Sequence, residues 1–247
     1  MTLRQFFEEN PKAALAFSGG VDSAYLLYAA KYFGADVTAY YVKTPFQPEF
    51  EYEDATHLAR QMGAEIVTIE LDVLSDPAIA ENPQNRCYFC KRRIFSAIME
   101  QAKADGYSLV VDGTNASDDA ANRPGMAALK ELAVRSPLRE AGLTKADIRA
   151  LSKEAGLFTH DKPAYACLAT RIPAGTPITR ELLTVTEKSE AFLRQIGFSD
   201  FRIRLLGTAA KIQIPESQLP LLLANREKIL NHLKNNYSAV LLDLEVR

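Results

Sequence analysis

"ALAFSGGVDS" runs from Ala14 to Ser23, and its reading decides the fold. The apolar run Ala14 to Phe17 predicts a buried strand, Gly19 and Gly20 a tight turn, and Ala24, Leu27 and Tyr28 one face of a following helix. In a strand, glycine turn and helix, backbone N–H groups can approach an anion closely. Ser18 and Ser23 add hydroxyl donors, and the helix directs its positive end at the same point. Such a loop suits a pyrophosphate. It has neither the G-x-x-x-x-G-K-[ST] of the Walker loop nor the G-x-G-x-x-G of the dinucleotide turn.

Outward from this loop, a short helix is expected before it, Leu3 to Glu9, and strands after it at Val37 to Val42, Glu65 to Ile69 and Leu109 to Val111. Helical patterns at Pro48 to Met62 and Lys91 to Lys103 separate them. Strands alternating with helices imply an α/β fold, a doubly wound parallel sheet covered on both faces. In such a sheet the end of the strand in "VDGTNASDD" (Val111 to Asp119) presents a ligand-binding loop, which makes Gly113, Thr114 and Asn115 candidates for the nucleotide side. A plain polar turn is the alternative.

The alternation breaks after Arg135. "SPLREAGLTKADIRALSKEAG" predicts one short helix opened by Thr144 as N-cap, followed by a Pro- and Gly-rich loop from Lys162 to Thr179. A domain boundary near Pro173 would divide the chain into 1–172 and 173–247. In the second part a helix is expected at Arg180 to Ile196, a hairpin in "FRIRLLG" and "AAKIQI", a helix at Gln218 to Lys234 and a last strand in "SAVLLDLEV", together a small α+β unit.

The 247 residues, 47% of them hydrophobic, suffice for a real core. The balance of 29 basic against 31 acidic residues, with no long basic block, advertises no nucleic-acid partner. No apolar run approaches the ~20 residues that span a bilayer, and "MTLRQFFEENPKAALAF" lacks the regions of a secretory signal. A cytoplasmic protein without membrane contact is expected.

Three cysteines, Cys87, Cys90 and Cys167, point to reduced thiols more than to a disulfide framework. The C-x-x-C of "NRCYFCKRR" suits a redox dithiol, half a zinc site or part of an iron-sulfur ligand set. A redox pair does not need Cys167, and a zinc site would draw its fourth ligand from His57, His160 or His232. Three thiolates can instead hold a [4Fe-4S] cluster with one iron open. In "YACLA" Cys167 also fits a small buried core residue. Arg171 beside it, and Arg86, Lys91, Arg92 and Arg93 around the pair, favour thiolates.

Taken in order, the glycine loop, "NRCYFCK", "NRPGMAALKELAVRSPL" and "ACLATRIPAGTPIT" resemble one group of PP-loop (N-type) ATP pyrophosphatases, the LarE type of sulfur transferase, over essentially the whole chain. The resemblance implies that ATP adenylates a carboxylate of pyridinium-3,5-biscarboxylic acid mononucleotide, after which sulfur displaces AMP in nickel-pincer nucleotide biosynthesis for lactate racemase. It implies a nucleotide loop of Ser18, Gly19, Gly20, Val21, Asp22 and Ser23, with Asp22 a magnesium contact. Cys167 matches the sulfur-bearing cysteine. With Cys87 and Cys90 it would ligate a [4Fe-4S] cluster that takes sulfide from a donor and allows repeated turnover. Arg171, Arg202 and Arg204, with Glu190, match the substrate-phosphate set. Arg202 and Arg204 alternate along "FRIRLL" and so share one face; solvated edge-strand arginines are the plainer reading. Homo-oligomers, hexamers by precedent, are implied as well. A tRNA thiolase of the same superfamily, a zinc-containing PP-loop ligase and a non-enzymatic ATP or redox sensor are the rival readings.

Overall fold

The computed structural model describes residues 1–118 and 124–245. Asp119 of "VDGTNASDD", Asn122 and Arg123 of "NRPGM" and Val246 lie outside them. The elements run α1 (Leu3–Glu9), β1 (Lys12–Ala16), α2 (Val21–Tyr32), β2 (Asp36–Lys43), α3 (Glu49–Gln61), β3 (Ile66–Glu70), α4 (Pro77–Ala80), α5 (Arg86–Ala104), β4 (Val110–Asp112), α6 (Pro124–Glu131), α7 (Pro137–Glu140) and α8 (Lys145–Glu154). They continue with α9 (Arg180–Gln195), β5 (Arg202–Leu206), β6 (Ala209–Gln213), α10 (Leu219–Ala224), α11 (Arg226–Leu233) and β7 (Val240–Leu242). The chain forms two compact units: Met1–Val73 with Asn85–Lys162, and Leu74–Gln84 with Pro163–Arg247.

The first unit is a doubly wound parallel sheet in the order β3-β2-β1-β4. The chain winds outward from β1 through β2 to β3, then crosses to lay β4 on the other side of β1, with Leu15 opposite Val111. That reversal makes the carboxyl ends of β1 and β4 a switch point, where open α/β sheets bind ligands. Apolar side chains cover both faces. Leu15, Leu26, Leu27 and Leu58 pack on one, and Ala14, Tyr40, Phe95 and Ile98 on the other, so the strands read as continuous apolar runs. Arg135 continues the sheet as a parallel bridge to Val111.

In the second unit β5 and β6 form the expected antiparallel hairpin, and β7 joins β6 in parallel. Ile203, Ala210 and Ile212 face a core with Leu193, Ile229 and Leu233, while Arg202 and Arg204 take the alternate positions of β5.

Three differences from the sequence reading have local causes. The helix expected from Lys91 starts at Arg86, whose side chain is buried with its guanidinium over the Phe46 ring, so a core-facing position is hidden behind a charged letter. Pro137 at a helix start nucleates the extra short helix α7. One helix expected over Gln218 to Lys234 is two, because Asn225 leaves helical geometry (φ −107°, ψ 12°) and its side chain caps the Leu221 carbonyl at 3.0 Å.

Candidate active site

In the first unit, β1 ends at Ala16 and α2 begins at Val21, so residues 17–20 make the entire turn. Gly19 takes φ +70°, and a Cβ there would stand 2.7 Å from the Ala55 Cβ; both conditions demand glycine. The Ser18 and Ser23 hydroxyls face each other at 3.1 Å. The Ser18 and Gly20 amides donate inward to them, at 3.3 Å to Ser23 Oγ and 3.4 Å to Ser18 Oγ. These contacts are longer than good hydrogen bonds, so anion oxygens can replace them at little cost.

The loop after β4 closes on the same helix end. Gly113 runs so near α2 that a Cβ would sit 2.9 Å from Ser23 N. Asp112, buried, accepts from the Thr114 amide (3.2 Å) and hydroxyl (2.5 Å) and from the Ser136 hydroxyl (2.6 Å), which fixes the turn. Asn115 Nδ2 thereby reaches Asp22 Oδ1 at 3.3 Å. The other carboxylate oxygen, Oδ2, holds Lys145 Nζ at 2.6 Å. The structure thus brings Ser18, Gly19, Gly20, Val21, Asp22, Ser23, Gly113, Thr114 and Asn115 together at the switch point. As a hard oxygen ligand in the first turn of α2, beside the glycine loop, Asp22 suits magnesium, which takes one or two carboxylates plus phosphate oxygens.

Sequence reasoning missed Lys145 and Asp112. The signal for Lys145 was its place at the first position of α8, where a cation opposes the helix dipole.

In the same unit, Cys87 and Cys90 stand three residues apart at the start of α5, a spacing that puts both thiols on one helix face. Arg86 Nη2 donates to Cys87 Sγ at 3.8 Å. None of the three cysteines is in a disulfide; Cys87 is exposed and the others half-buried. In donor chemistry the two thiols of this helix turn suit part of an iron-sulfur ligand set. Among the described residues no group of three or more His, Cys, Asp or Glu side chains is gathered as a metal site.

The second unit carries Cys167 at the start of a 3-10 turn, Leu168–Arg171. Arg171 is 1% exposed and forks onto Glu190, also 1% exposed, from Nε (2.8 Å) and Nη2 (3.0 Å). Its Nη1 donates to the Ala166 carbonyl (2.9 Å), Thr170 Oγ1 (2.9 Å) and the Cys167 carbonyl (3.5 Å). Glu190 also accepts from the Tyr165 hydroxyl (2.6 Å) and the Ile203 amide (2.9 Å). Burial works to lower the Arg171 pKa, but the hydrogen bond and charge of Glu190 outweigh it and hold the guanidinium above its ordinary value. Burial, and then the Glu190 charge, push the Tyr165 phenol far up, so it stays a neutral donor. Arg202 donates to the Ala164 and Phe201 carbonyls at 2.5 and 2.6 Å, and Arg204 to the Thr170 carbonyl and Gln213 Oε1, both at 2.6 Å. Arg171, Glu190, Arg202 and Arg204 are therefore brought together around the Cys167 segment. Tyr165, whose ring lies under both Arg171 and Arg202, is a member that the sequence reading left inside "YACLA". Among the described residues no helix is long and apolar enough to cross a membrane.

No family model matches the chain. An uncharacterized protein of Synechocystis sp. is 38% identical over 218 residues, 88% of this chain and 81% of that one. The pyridinium-3,5-bisthiocarboxylic acid mononucleotide synthase of Lactiplantibacillus plantarum is 32% identical over 246 residues, 98% of this chain and 89% of the synthase. The tRNA-specific 2-thiouridylase MnmA of Pseudothermotoga lettingae is 29% identical over 188 residues, 61% of this chain and 54% of the thiouridylase. Identity and coverage both favour the synthase, and with the glycine loop at the switch point of a parallel sheet they make this chain a member of the PP-loop ATP pyrophosphatase superfamily, in the LarE-type family of that synthase.

Proposed function

We propose that this protein is an ATP-dependent sulfur transferase acting on pyridinium-3,5-biscarboxylic acid mononucleotide in nickel-pincer nucleotide biosynthesis. The observation that carries the proposal is the 32% identity to the Lactiplantibacillus synthase along almost the whole of both chains. In the proposed reaction a substrate carboxylate oxygen attacks the α-phosphorus of ATP and pyrophosphate leaves. A sulfide sulfur then attacks the acyl carbon, the bond to AMP breaks, and a thiocarboxylate remains.

The glycine loop and the α2 N-terminus hold the departing pyrophosphate, and catalysis rests on positioning and charge stabilisation. Asp22 serves as magnesium ligand, while Gly113, Thr114 and Asn115 border the nucleotide. Arg171, Arg202 and Arg204 form the substrate-phosphate set, with Glu190 keeping the Arg171 fork in place. Cys87, Cys90 and Cys167 would hold a [4Fe-4S] cluster, which when bound supplies the sulfur. A homo-oligomer, hexameric by family precedent, completes the reading.

Anaerobic reconstitution of the wild type and each Cys→Ser variant, followed by iron, acid-labile sulfide and zinc analysis, tests it together with substrate-dependent release of AMP and pyrophosphate. Four irons lost with any one cysteine are expected. Zinc without iron overturns the cluster assignment and favours a zinc ligase, and a cluster surviving loss of Cys167 overturns the three-cysteine assignment. The partial likeness to thiouridylases supports a second reading, tRNA thiolation. Steeply salt-dependent tRNA binding, with no turnover of the mononucleotide, would establish that reading instead.

A further inference from the structure

Tyr165 is at odds with its surroundings. It stands half-buried between two exposed alanines, Ala164 and Ala166, in a stretch of the second unit, 163–167, that has neither helix nor strand to fix it. Its own side chain supplies the anchor. The ring centroid lies 4.6 Å from Cζ of Arg171 and 5.1 Å from Cζ of Arg202, both within cation–π reach. The hydroxyl donates to Glu190 Oε2 at 2.6 Å, the same oxygen that takes Arg171 Nη2 at 3.0 Å. One residue therefore touches two guanidiniums and the carboxylate that orients one of them.

Guanidiniums that serve one phosphate must stand close together, and as like charges they repel while the site is empty. Arg171 and Arg202 are both buried, so solvent ions screen that repulsion little. The Glu190 carboxylate offsets it for Arg171, and the negative face of the Tyr165 ring offsets it for both. An aliphatic side chain would fill the same space with neither contact; tyrosine supplies a π face and a donor together.

We infer that Tyr165 is a positioning residue for the substrate phosphate, its ring keeping Arg171 and Arg202 together and its hydroxyl steadying the Glu190 carboxylate that carries the Arg171 fork. The inference rests on the substrate-phosphate reading above. Tyr165 acts through the two arginines, so its loss should cost phosphate recognition and spare the chemistry.

Steady-state release of AMP by reconstituted wild type, Tyr165→Phe and Tyr165→Leu tests it, with the pyridinium biscarboxylic mononucleotide and with the riboside that lacks its phosphate. Tyr165→Phe keeps the ring and loses the hydroxyl, and should raise KM for the mononucleotide about 3- to 5-fold, the worth of one hydrogen bond. Tyr165→Leu loses both and should raise it about 10- to 30-fold. In each, kcat and the KM for ATP should stay within about twofold, a split that a general loosening of the fold would not give. On the riboside, which has no phosphate to hold, kcat/KM should stay within about twofold of wild type. A kcat that falls with KM unchanged, equal losses on riboside and mononucleotide, or a Tyr165→Leu that binds the mononucleotide more tightly would overturn the inference. If urea unfolding shows that Tyr165→Leu does not fold, Tyr165→Phe decides alone. If wild type prefers the mononucleotide and the variants prefer it equally, the inference fails and the phosphate reading stands. If wild type turns over the mononucleotide no better than the riboside, both fall.

Discussion

A methyl group at Gly113 would meet Ser23 N at 2.9 Å and Ser23 Cα at 3.1 Å, backbone atoms that cannot swing aside. Gly113→Ala should therefore push the β4 loop off α2, cost about 1–3 kcal/mol as overpacking does, and reduce ATP affinity. Urea denaturation and calorimetry on the same sample check the two effects. The buried pair of the second unit gives a larger expectation. Glu190→Gln leaves Arg171 with an uncompensated buried charge and should cost about 3–5 kcal/mol, read from the shift of the denaturation midpoint. Legibility at this scale follows sequence distance. Ser18 to Ser23 could be read because one short turn makes the whole contact set, whereas Lys145 stands 123 residues from Asp22 and no local pattern joins them. Arg171, Glu190, Arg202 and Arg204 could be named from the resemblance, but not Tyr165, nor the fork that joins Arg171 to Glu190. The closest partner of Arg171 is Glu190 on α9, and its burial is a tertiary fact.

Among the elements, strands and caps obeyed local rules. The alternation in "FRIRLL" placed Arg202 and Arg204 on one side of β5, opposite the side whose Ile203 enters the core. Thr144 forms the expected cap, accepting from the Asp147 amide at 3.3 Å while Asp147 accepts from the Thr144 amide at 2.9 Å. Thr144→Ala should cost about 1 kcal/mol, the usual worth of a Thr cap, and urea unfolding measures it. Rules failed where a charged letter was buried or a polar letter broke a helix. Arg86 hid the start of α5, and Asn225 divided α10 from α11. The first of these matters to the chemistry, since it puts Cys87 and Cys90 on a helix turn with fixed spacing.

On the scale of the whole molecule, the two units have separate cores, one around Leu15 and Leu27 and the other around Ile203 and Leu233. Leu233→Ala should destabilise the second unit by about 2–5 kcal/mol, the range for emptying a buried leucine site. Hydrogen exchange should then show lost protection in the amides of β5 and β6, with the amides of β1 and β2 unchanged. The parallel sheet has a further consequence, for the order of assembly. β1 binds β2 through a short helical crossover, but its other neighbour, β4, begins only at Val110. Long-range parallel pairing is slow, because the chain must close a large loop before any contact repays it. The turn after β1 can form early from local residues, yet Gly113 and Asn115 reach it only when that late strand docks. Nucleotide-dependent protection in refolding should accordingly appear with the slowest phase of sheet formation, so that a newly made chain acquires ATP only once its central sheet is finished.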